Sequence, residues 1–274
     1  MIIDAHQHFW TLRRDDYGWL TPDLTDLYRD FQPRDLEPIL LASGVEATVI
    51  VQAAPTEAET VHLLELARRW PIARGVVGWS DLTSPRVAHN LDRLADNPLL
   101  RGIRPMIQDE ADPDWMLHPS VASSLQVMGE CRLTFDALVG PRHLGPLKLL
   151  IDLNPCLPVV IDHGGKPPIA SGGYEPWAED MRALSERPQV ACKLSGLLTE
   201  AGARAVDADL RPYVEHLLEC FGPARLMWGS DWPVLTAVGG YGAWLDQARR
   251  LVGALSADEQ AQVFGRTAAS FYGI

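Results

Sequence analysis

Two histidines spaced by one residue stand near the start of the chain, in the segment Met1-Ile2-Ile3-Asp4-Ala5-His6-Gln7-His8. Residues two apart on a β-strand point to the same face, so we expect His6 and His8 to project side by side, with Asp4 beneath them. Such an imidazole pair can hold a divalent metal or polarise a carbonyl. A chance His-x-His on a surface strand is the alternative, and the pair alone does not exclude it.

The size and charge of the chain narrow the classes of protein to which it can belong. It has 274 residues, of which 47% are apolar, and this suits one α/β barrel domain of about 250 residues. The formal net charge is −12, which argues against nucleic acid, anionic membrane surfaces and polyanionic substrates. We expect a small-molecule substrate and a monomer or small homo-oligomer.

Several features predict a cytoplasmic location. No signal peptide precedes the first strand, and no apolar run reaches about 18 residues, the length of a membrane span. The four cysteines, Cys131, Cys156, Cys192 and Cys220, lack the spacing of a metal motif. We interpret them as buried thiols of a protein in a reducing compartment.

Eight short apolar or β-branched segments recur along the chain, most of them followed by a helical pattern. They are Ile2–His8, Ala47–Gln52, Ala73–Trp79, Arg101–Met106, Leu133–Val139, Val159–His163, Val190–Ser195 and Arg225–Asp231. Strands that alternate with helices pair in parallel, so the pattern predicts a single-domain (β/α)8 TIM barrel over residues 1–274. Capping-box patterns at Thr56–Glu59 and Ser256–Glu259 predict two of its helix starts.

The connection after the first strand is longer than a minimal barrel needs. We predict an extended loop at about 9–46, which holds Trp10, Tyr17, Trp19 and Leu20 among prolines and acidic residues. Because it follows a strand, this loop lies at the carboxyl-terminal mouth of the barrel, where it can cover a pocket. An insertion packed on the outside of the barrel is an equal alternative.

Polar residues stand near the carboxyl ends of seven predicted strands, where barrel enzymes carry their active sites. In chain order they are His6, His8, Gln52, Arg104, Asp136, His163, Lys193, Ser195 and Asp231. A single polar strand end has little weight. Seven together are hard to explain by structure alone, because each unpaired buried group costs about 1–3 kcal/mol.

Some of these residues also have structural interpretations. Asp136 can be the buried ion-pair partner of Lys193 or Arg104. We expect Asp162 to face outward, where it would cap a helix or hold a neighbouring loop. The other histidines are interpreted as surface or packing residues: His62, His89, His118, His143 and His216.

The chain resembles the amidohydrolase superfamily in three motifs that occur in this order: Asp4–His8, His163–Gly165 and Gly229–Pro233. Similar stretches at Arg101–Pro105 and Cys192–Leu197 extend the resemblance over essentially the whole chain. Within the superfamily it resembles the lactonase branch. The Gly-Lys-Pro after His163 and the Lys-Leu-Ser-Gly of the seventh strand are closest to the sugar-lactone members.

This resemblance implies hydrolysis of a sugar-acid lactone, such as an L-fucono- or L-rhamnonolactone, to the aldonic acid. The strand-eight aspartate is the general base of the superfamily, so Asp231 would take a proton from water and later protonate the departing oxygen. His6, His8 and His163 would polarise the carbonyl. The candidate substrate-binding residues are Arg104, Gln52, Lys193, Asp136 and Trp10.

The resemblance leaves the metal content open. Metal-dependent members usually carry a histidine on strand five, and binuclear members a carboxylated lysine or a glutamate on strand four. This chain has Asp136 and Arg104 at those places, which disfavours a binuclear site. We predict at most one divalent metal, Zn²⁺, held by His6, His8 and Asp231 with His163 as a further candidate, and not required for activity.

Two other functions are considered. The first is a hydrolase or decarboxylase of an anionic aromatic-degradation intermediate, such as a pyrone or muconolactone carboxylate. Two carboxylates usually require several arginines, whereas the strand ends supply Arg104 and the net charge is strongly negative. The second is a non-catalytic barrel. Such a protein is expected to lack the general base, whereas this chain has Asp231 in its expected context.

Overall fold

Eight parallel strands form the centre of the molecule in the computed structural model, which describes residues 1–202 and 205–274. They are β1 (Ile3–Gln7), β2 (Ala47–Val51), β3 (Ala73–Gly78), β4 (Leu100–Ile103), β5 (Thr134–Ala137), β6 (Val159–Ile161), β7 (Val190–Leu194) and β8 (Leu226–Trp228). Each strand pairs with the next in chain order. The segment after β8 closes the ring on β1, where the Asp231 amide donates to the His6 carbonyl at 2.8 Å. The predicted (β/α)8 barrel is confirmed.

Helices surround these strands. They are α1 (Pro33–Ser43), α2 (Glu57–Arg69), α3 (Val87–Ala95), α4 (Pro119–Glu130), α5 (Leu144–Leu153), α6 (Trp177–Ser185), α7 (Leu197–Ala201), α8 (Asp207–Phe221), α9 (Tyr241–Leu251), α10 (Ala257–Ala261) and α11 (Thr267–Tyr272). The hydroxyls of Thr56 and Ser256 each accept from the backbone amide three residues on, as their capping patterns predict. A π-helical turn separates α10 from α11.

The segment between β1 and α1 is shorter than the predicted loop. It covers residues 8–32, because α1 begins with a proline at its first position and a capping box of Gln32 and Asp35. These local signals place a helix inside the predicted loop. The loop packs on the barrel through Phe31, whose ring centroid lies 5.3 Å from that of Trp232 in the segment after β8. It also reaches the pocket through Trp19, whose indole N–H donates to the Ala53 carbonyl at 2.7 Å. One part of the loop thus packs on the barrel and another contacts the pocket, and its role as a cover stays a prediction.

The cysteines differ from the expectation of four buried thiols. Cys192 on β7 is buried, whereas Cys156 is exposed and the other two are half-buried. Cys156 lies in the turn between α5 and β6, outside the packed elements. Among residues 1–202 and 205–274, no helix combines the length and apolar character needed to span a bilayer.

Candidate active site

Four side chains predicted to carry the chemistry converge at the carboxyl-terminal ends of β1, β6 and β8. His6 Nε2 lies 3.2 Å from His8 Nε2, and His8 Nε2 lies 3.3 Å from Asp231 Oδ1. The same Asp231 oxygen lies 3.7 Å from His6 Nε2 and 3.9 Å from His163 Nε2. The structure thus brings three imidazoles around one carboxylate.

Two of these residues leave the strand geometry that the sequence suggested. β6 ends at Ile161 and β8 at Trp228, before the site residues. His163 and Asp231 then adopt φ values of 55° and 59°, a left-handed conformation that is uncommon for non-glycine residues. Their side chains are therefore directed by the turns after the strands and not by strand alternation.

The imidazoles pack so closely that two neighbouring positions need glycine. A Cβ atom on Gly196 would lie 2.6 Å from the ring of His163, and one on Gly229 would lie 2.7 Å from Cβ of His6.

Asp4 supports the same region from outside the cluster. Its carboxylate accepts from the Ser230 hydroxyl at 2.6 Å and from the Tyr241 hydroxyl at 2.9 Å, so it holds the turn after β8 against β1.

Hydrogen bonds and burial set the protonation of the cluster. His8 Nδ1 lies 2.8 Å from the Val51 carbonyl, so this nitrogen carries a proton and donates it. Burial lowers the pKa of His163 to about 4 and that of His6 well below its ordinary value, so both rings are neutral at pH 7. Burial opposes ionisation of Asp231, but the surrounding imidazoles outweigh it and hold its pKa below the ordinary range. Asp231 is a carboxylate at neutral pH.

A buried ionic layer lies directly beneath the imidazoles. Lys193 Nζ lies 2.8 Å from Asp136 Oδ2 and 3.0 Å from Asp162 Oδ1, and all three side chains are fully buried. Arg104 Nη1 donates to Asp162 Oδ2 at 3.4 Å. The expectation that Asp162 faces outward is therefore wrong, because the chain turns immediately after Ile161. The alternative that Asp136 pairs with Lys193 is what the structure shows.

A pocket of about 180 Å³ opens above this cluster. Four of the predicted site residues line it, namely His8, His163, Asp231 and Arg104. His6 lies just beneath the pocket wall and is fully buried. Among the residues that line this pocket, sequence reasoning had not selected Trp19, Met106, Leu138 and Lys166. Lys166 follows the His-Gly-Gly motif, and that position was the available signal.

The other predicted substrate-binding residues are placed elsewhere by the structure. Gln52 clamps Arg104, since its side-chain amide donates to the Arg104 carbonyl at 2.8 Å and its own carbonyl accepts from the guanidinium. Lys193 and Asp136 belong to the ionic layer. Trp10 is fully buried in the loop, where its indole N–H donates to the Arg29 carbonyl at 2.8 Å, and Trp19 of the same loop faces the pocket.

The donor set fits a single metal ion. Ligands about 2.0–2.1 Å from a tetrahedral zinc stand about 3.3 Å from one another. The separations among His6 Nε2, His8 Nε2 and Asp231 Oδ1 are 3.2, 3.3 and 3.7 Å. His6, His163 and Asp231 also offer ligand atoms that lie within 4.8 Å of one another. The residues can therefore hold one zinc, with His8 or His163 completing the set.

The fold and the site define an amidohydrolase-type barrel. The chain belongs to the amidohydrolase family, because the profile of the family described as Amidohydrolase matches residues 3–274. This confirms the resemblance that the motifs carry.

The chain is similar over its whole length to two lactonases. It is 47% identical to an L-fucono-1,5-lactonase of Burkholderia ambifaria, across 99% of this chain and 95% of that protein. It is 36% identical to an L-fucono-1,5-lactonase of Burkholderia multivorans, across 99% and 96%. Two crystal structures of an amidohydrolase from Burkholderia multivorans, one with bound HEPES and one with bound zinc, superpose with a TM-score of 0.93 at 36% identity, covering 100% of this chain and 99% of theirs.

Proposed function

We propose that this protein hydrolyses a sugar-acid lactone to the aldonic acid, with L-fucono-1,5-lactone as the first substrate to test. The observation that carries the proposal is a carboxylate, Asp231, that lines a small pocket among three imidazoles. The identity of 47% to an L-fucono-1,5-lactonase supports the choice of sugar.

The chemistry follows from the position of Asp231. The carboxylate takes a proton from a water molecule in the pocket while the water oxygen bonds to the lactone carbonyl carbon. A hydrogen bond to the developing oxyanion comes from His163, because its Nδ1 lies 2.8 Å from the Ser195 hydroxyl and can accept from it, which places a proton on Nε2. Asp231 then returns its proton to the ring oxygen as the carbon–oxygen bond breaks.

A zinc ion held by His6, His8 and Asp231 would polarise the carbonyl as a Lewis acid. The residues of the chain already supply a base in Asp231 and a hydrogen-bond donor in His163. We therefore propose that a bound ion is dispensable for turnover.

The pocket suits a neutral substrate better than a dicarboxylate. Arg104 lies at its floor, and both ends of the guanidinium are already engaged, by Asp162 and by the Gln52 carbonyl. Lys166, which also lines the pocket, pairs with Glu200 at 3.4 Å. The wall includes the apolar residues Met106, Leu138 and Val234. A second carboxylate on the substrate would be desolvated without a bidentate partner here.

The test is acid release from a panel of lactones, followed with a pH indicator, with and without a chelator. We expect turnover of L-fucono-1,5-lactone well above its spontaneous hydrolysis, weaker turnover of other aldonolactones, and little change on chelation. Asp231→Asn protein purified in parallel controls for contaminating esterases. Release from a pyrone dicarboxylate alone would instead support the anionic-substrate function. No release from any lactone would refute both.

A further inference from the structure

An ion pair lines the pocket and takes no part in the proposed chemistry. Lys166 Nζ lies 3.4 Å from Glu200 Oε1, and both residues line the same pocket as Asp231. Their side chains are 26% and 24% exposed. The pair is therefore partly desolvated, and a molecule in the pocket can still reach it.

Two backbone segments hold this pair at the pocket wall. Lys166 follows the turn after β6 with a φ of 54°, and its amide donates to the His163 carbonyl at 2.9 Å. Glu200 lies on α7, whose first residue, Leu197, is fully buried. A Cβ atom on Gly164 would lie 3.4 Å from the Leu197 side chain, so the turn and α7 already pack on each other. The ion pair is not needed to join them. A left-handed non-glycine residue beside a pocket is also typical of functional sites.

The pair has hydrogen-bonding capacity to spare. An ammonium group has three donors, and a carboxylate has two oxygens that each accept more than one hydrogen bond. Within residues 1–202 and 205–274, the Lys166 ammonium has Glu200 Oε1 as its one hydrogen-bond or ion-pair contact. Two donors of Lys166 and the second oxygen of Glu200 therefore remain for a ligand in the pocket.

This combination suits hydroxyl groups better than it suits an anion. A hydroxyl group can both donate and accept a hydrogen bond. Neighbouring hydroxyls of a sugar ring can therefore accept from Lys166 and donate to Glu200 at the same time. A carboxylate on the ligand would be attracted by Lys166 but repelled by Glu200, since the pair is neutral as a whole.

An aromatic side chain lies on the other side of the pocket. Trp19 lines the pocket, and its indole N–H bonds to the Ala53 carbonyl just after β2. Because β2 is four strands away from β6 in the eight-stranded ring, the indole lies across the pocket from Lys166. A sugar ring has apolar C–H groups as well as hydroxyls. The pocket offers an aromatic surface to the first and charged groups to the second.

We propose that Lys166 and Glu200 form a hydroxyl-recognition pair, which makes the site specific for polyhydroxylated lactones over lactones that lack ring hydroxyls. This inference deepens the proposed function and rests on it, because the pair acts on the substrate of Asp231. The pair binds hydroxyls that do not react, so it determines specificity. A lactone without these hydroxyls leaves the charged groups without partners, which disfavours its binding.

The first experiment compares kcat/KM for L-fucono-1,5-lactone and for δ-valerolactone, a ring of the same size without hydroxyls. We expect Lys166→Met and Glu200→Ala each to lower kcat/KM for the sugar lactone at least about tenfold. The value for δ-valerolactone should stay within about twofold of the wild-type value. Equal loss for the two lactones, or loss for neither, would overturn the proposal and would favour recognition by Gln108 and Asp109, which also line the pocket.

Two further variants separate recognition from a structural role. Glu200→Gln keeps the shape and one acceptor oxygen, so its discrimination between the two lactones should fall between those of wild type and Glu200→Ala. Glu215→Ala is the matched control. It removes a carboxylate from the 3.7 Å ion pair with Arg211 on the exposed side of α8, and it should keep wild-type discrimination. A purely structural pair would lower the melting temperature and affect both lactones alike.

The second experiment needs no turnover. The 1,5-lactam of L-fuconic acid keeps the ring hydroxyls and resists hydrolysis, and its binding is measured by titration calorimetry. We expect wild-type protein to bind it, and Lys166→Met and Glu200→Ala to bind it at least about tenfold more weakly. No binding by wild type, or equal Kd values in all three proteins, would overturn the proposal.

The two experiments together distinguish this inference from the proposed function. Weakened lactam binding in the variants, with no turnover of any lactone by wild type, would refute the proposed function alone. Turnover of L-fucono-1,5-lactone with unchanged discrimination in the variants would refute the role of Lys166 and Glu200 alone.

Discussion

In the proposed mechanism, the carboxylate of Asp231 acts first as the general base and then as the proton donor. The change Asp231→Asn keeps the size of the side chain and removes its basicity, so we expect kcat to fall at least about 100-fold, the lower end for general-base catalysis. Initial-rate kinetics on the best lactone measure this. Asp246→Asn makes the same change on the exposed face of α9 and should keep native turnover. An Asp231→Asn enzyme with near-native kcat would remove the mechanism.

The same residue predicts how activity depends on pH. Asp231 must be ionised to accept a proton, and its pKa lies below the ordinary value of 3.8. The active form is therefore present above that pKa and is lost as pH falls through it. Since the pKa of His163 is about 4, we expect kcat/KM to be flat at neutral pH and to fall with a midpoint at or below about pH 4. A midpoint near the ordinary histidine value of 6.5 would contradict this assignment.

Arg104 joins the pocket to the ionic layer. We expect Arg104→Ala to lower kcat/KM at least tenfold, about 1.4 kcal/mol, and to lower the melting temperature because Asp162 loses a buried partner. Arg104→Lys keeps the charge but cannot reach both Asp162 and the Gln52 carbonyl, so it should be intermediate. Kinetics and thermal unfolding of both variants test this. A folded Arg104→Ala enzyme with unchanged kinetics would give Arg104 a purely structural role.

At the scale of elements, the loop after β1 combines two functions in two tryptophans. Trp19 lines the pocket, so Trp19→Ala should raise KM about 3- to 10-fold through lost contact with substrate, about 0.7–1.4 kcal/mol. Trp10 is fully buried, so Trp10→Ala should lower the free energy of unfolding by about 3–5 kcal/mol. Denaturant unfolding and steady-state kinetics of both variants separate the two effects. Equal changes in KM and stability for the pair would contradict this division.

The turns after the strands explain why the barrel can hold such a dense site. β6 and β8 are three residues each, and the functional side chains follow them in left-handed conformations. The backbone there is tied down by the hydrogen bond from the Asp231 amide to the His6 carbonyl and by Asp4. Short strands with braced turns thus place groups from distant parts of the chain within hydrogen-bond distance.

At the scale of the whole molecule, the net charge of −12 bears on substrate choice. A negative field repels a dianionic lactone and leaves a neutral one unaffected. We expect kcat/KM for a neutral sugar lactone to be insensitive to added salt, whereas any turnover of a dicarboxylate should be slow and should rise with salt as the repulsion is screened. Efficient dicarboxylate turnover that declines with salt would show that local cations dominate and would contradict the neutral-substrate proposal.

The sequence alone determined the barrel and the residues around which the site forms. Strand alternation and helix capping are local signals, so the eight strands and two capped helix starts could be read from neighbouring residues. The motifs at His6, His163 and Asp231 also indicated the family. These features depend on short spacings along the chain. In a strand or a helix, such a spacing fixes the direction in which each side chain points.

The tertiary structure decided which polar residues reach the pocket. Asp162 faces inward because β6 stops at Ile161, and alternation gives no direction beyond the end of a strand. Lys193 and Asp136, which are 57 residues apart, pair beneath the pocket because the barrel places β7 and β5 on either side of β6. Trp19 rather than Trp10 faces the pocket because the aromatic packing of the loop buries one indole and leaves the other at the mouth. Each outcome depends on contacts between segments distant in sequence, and no local spacing encodes such contacts.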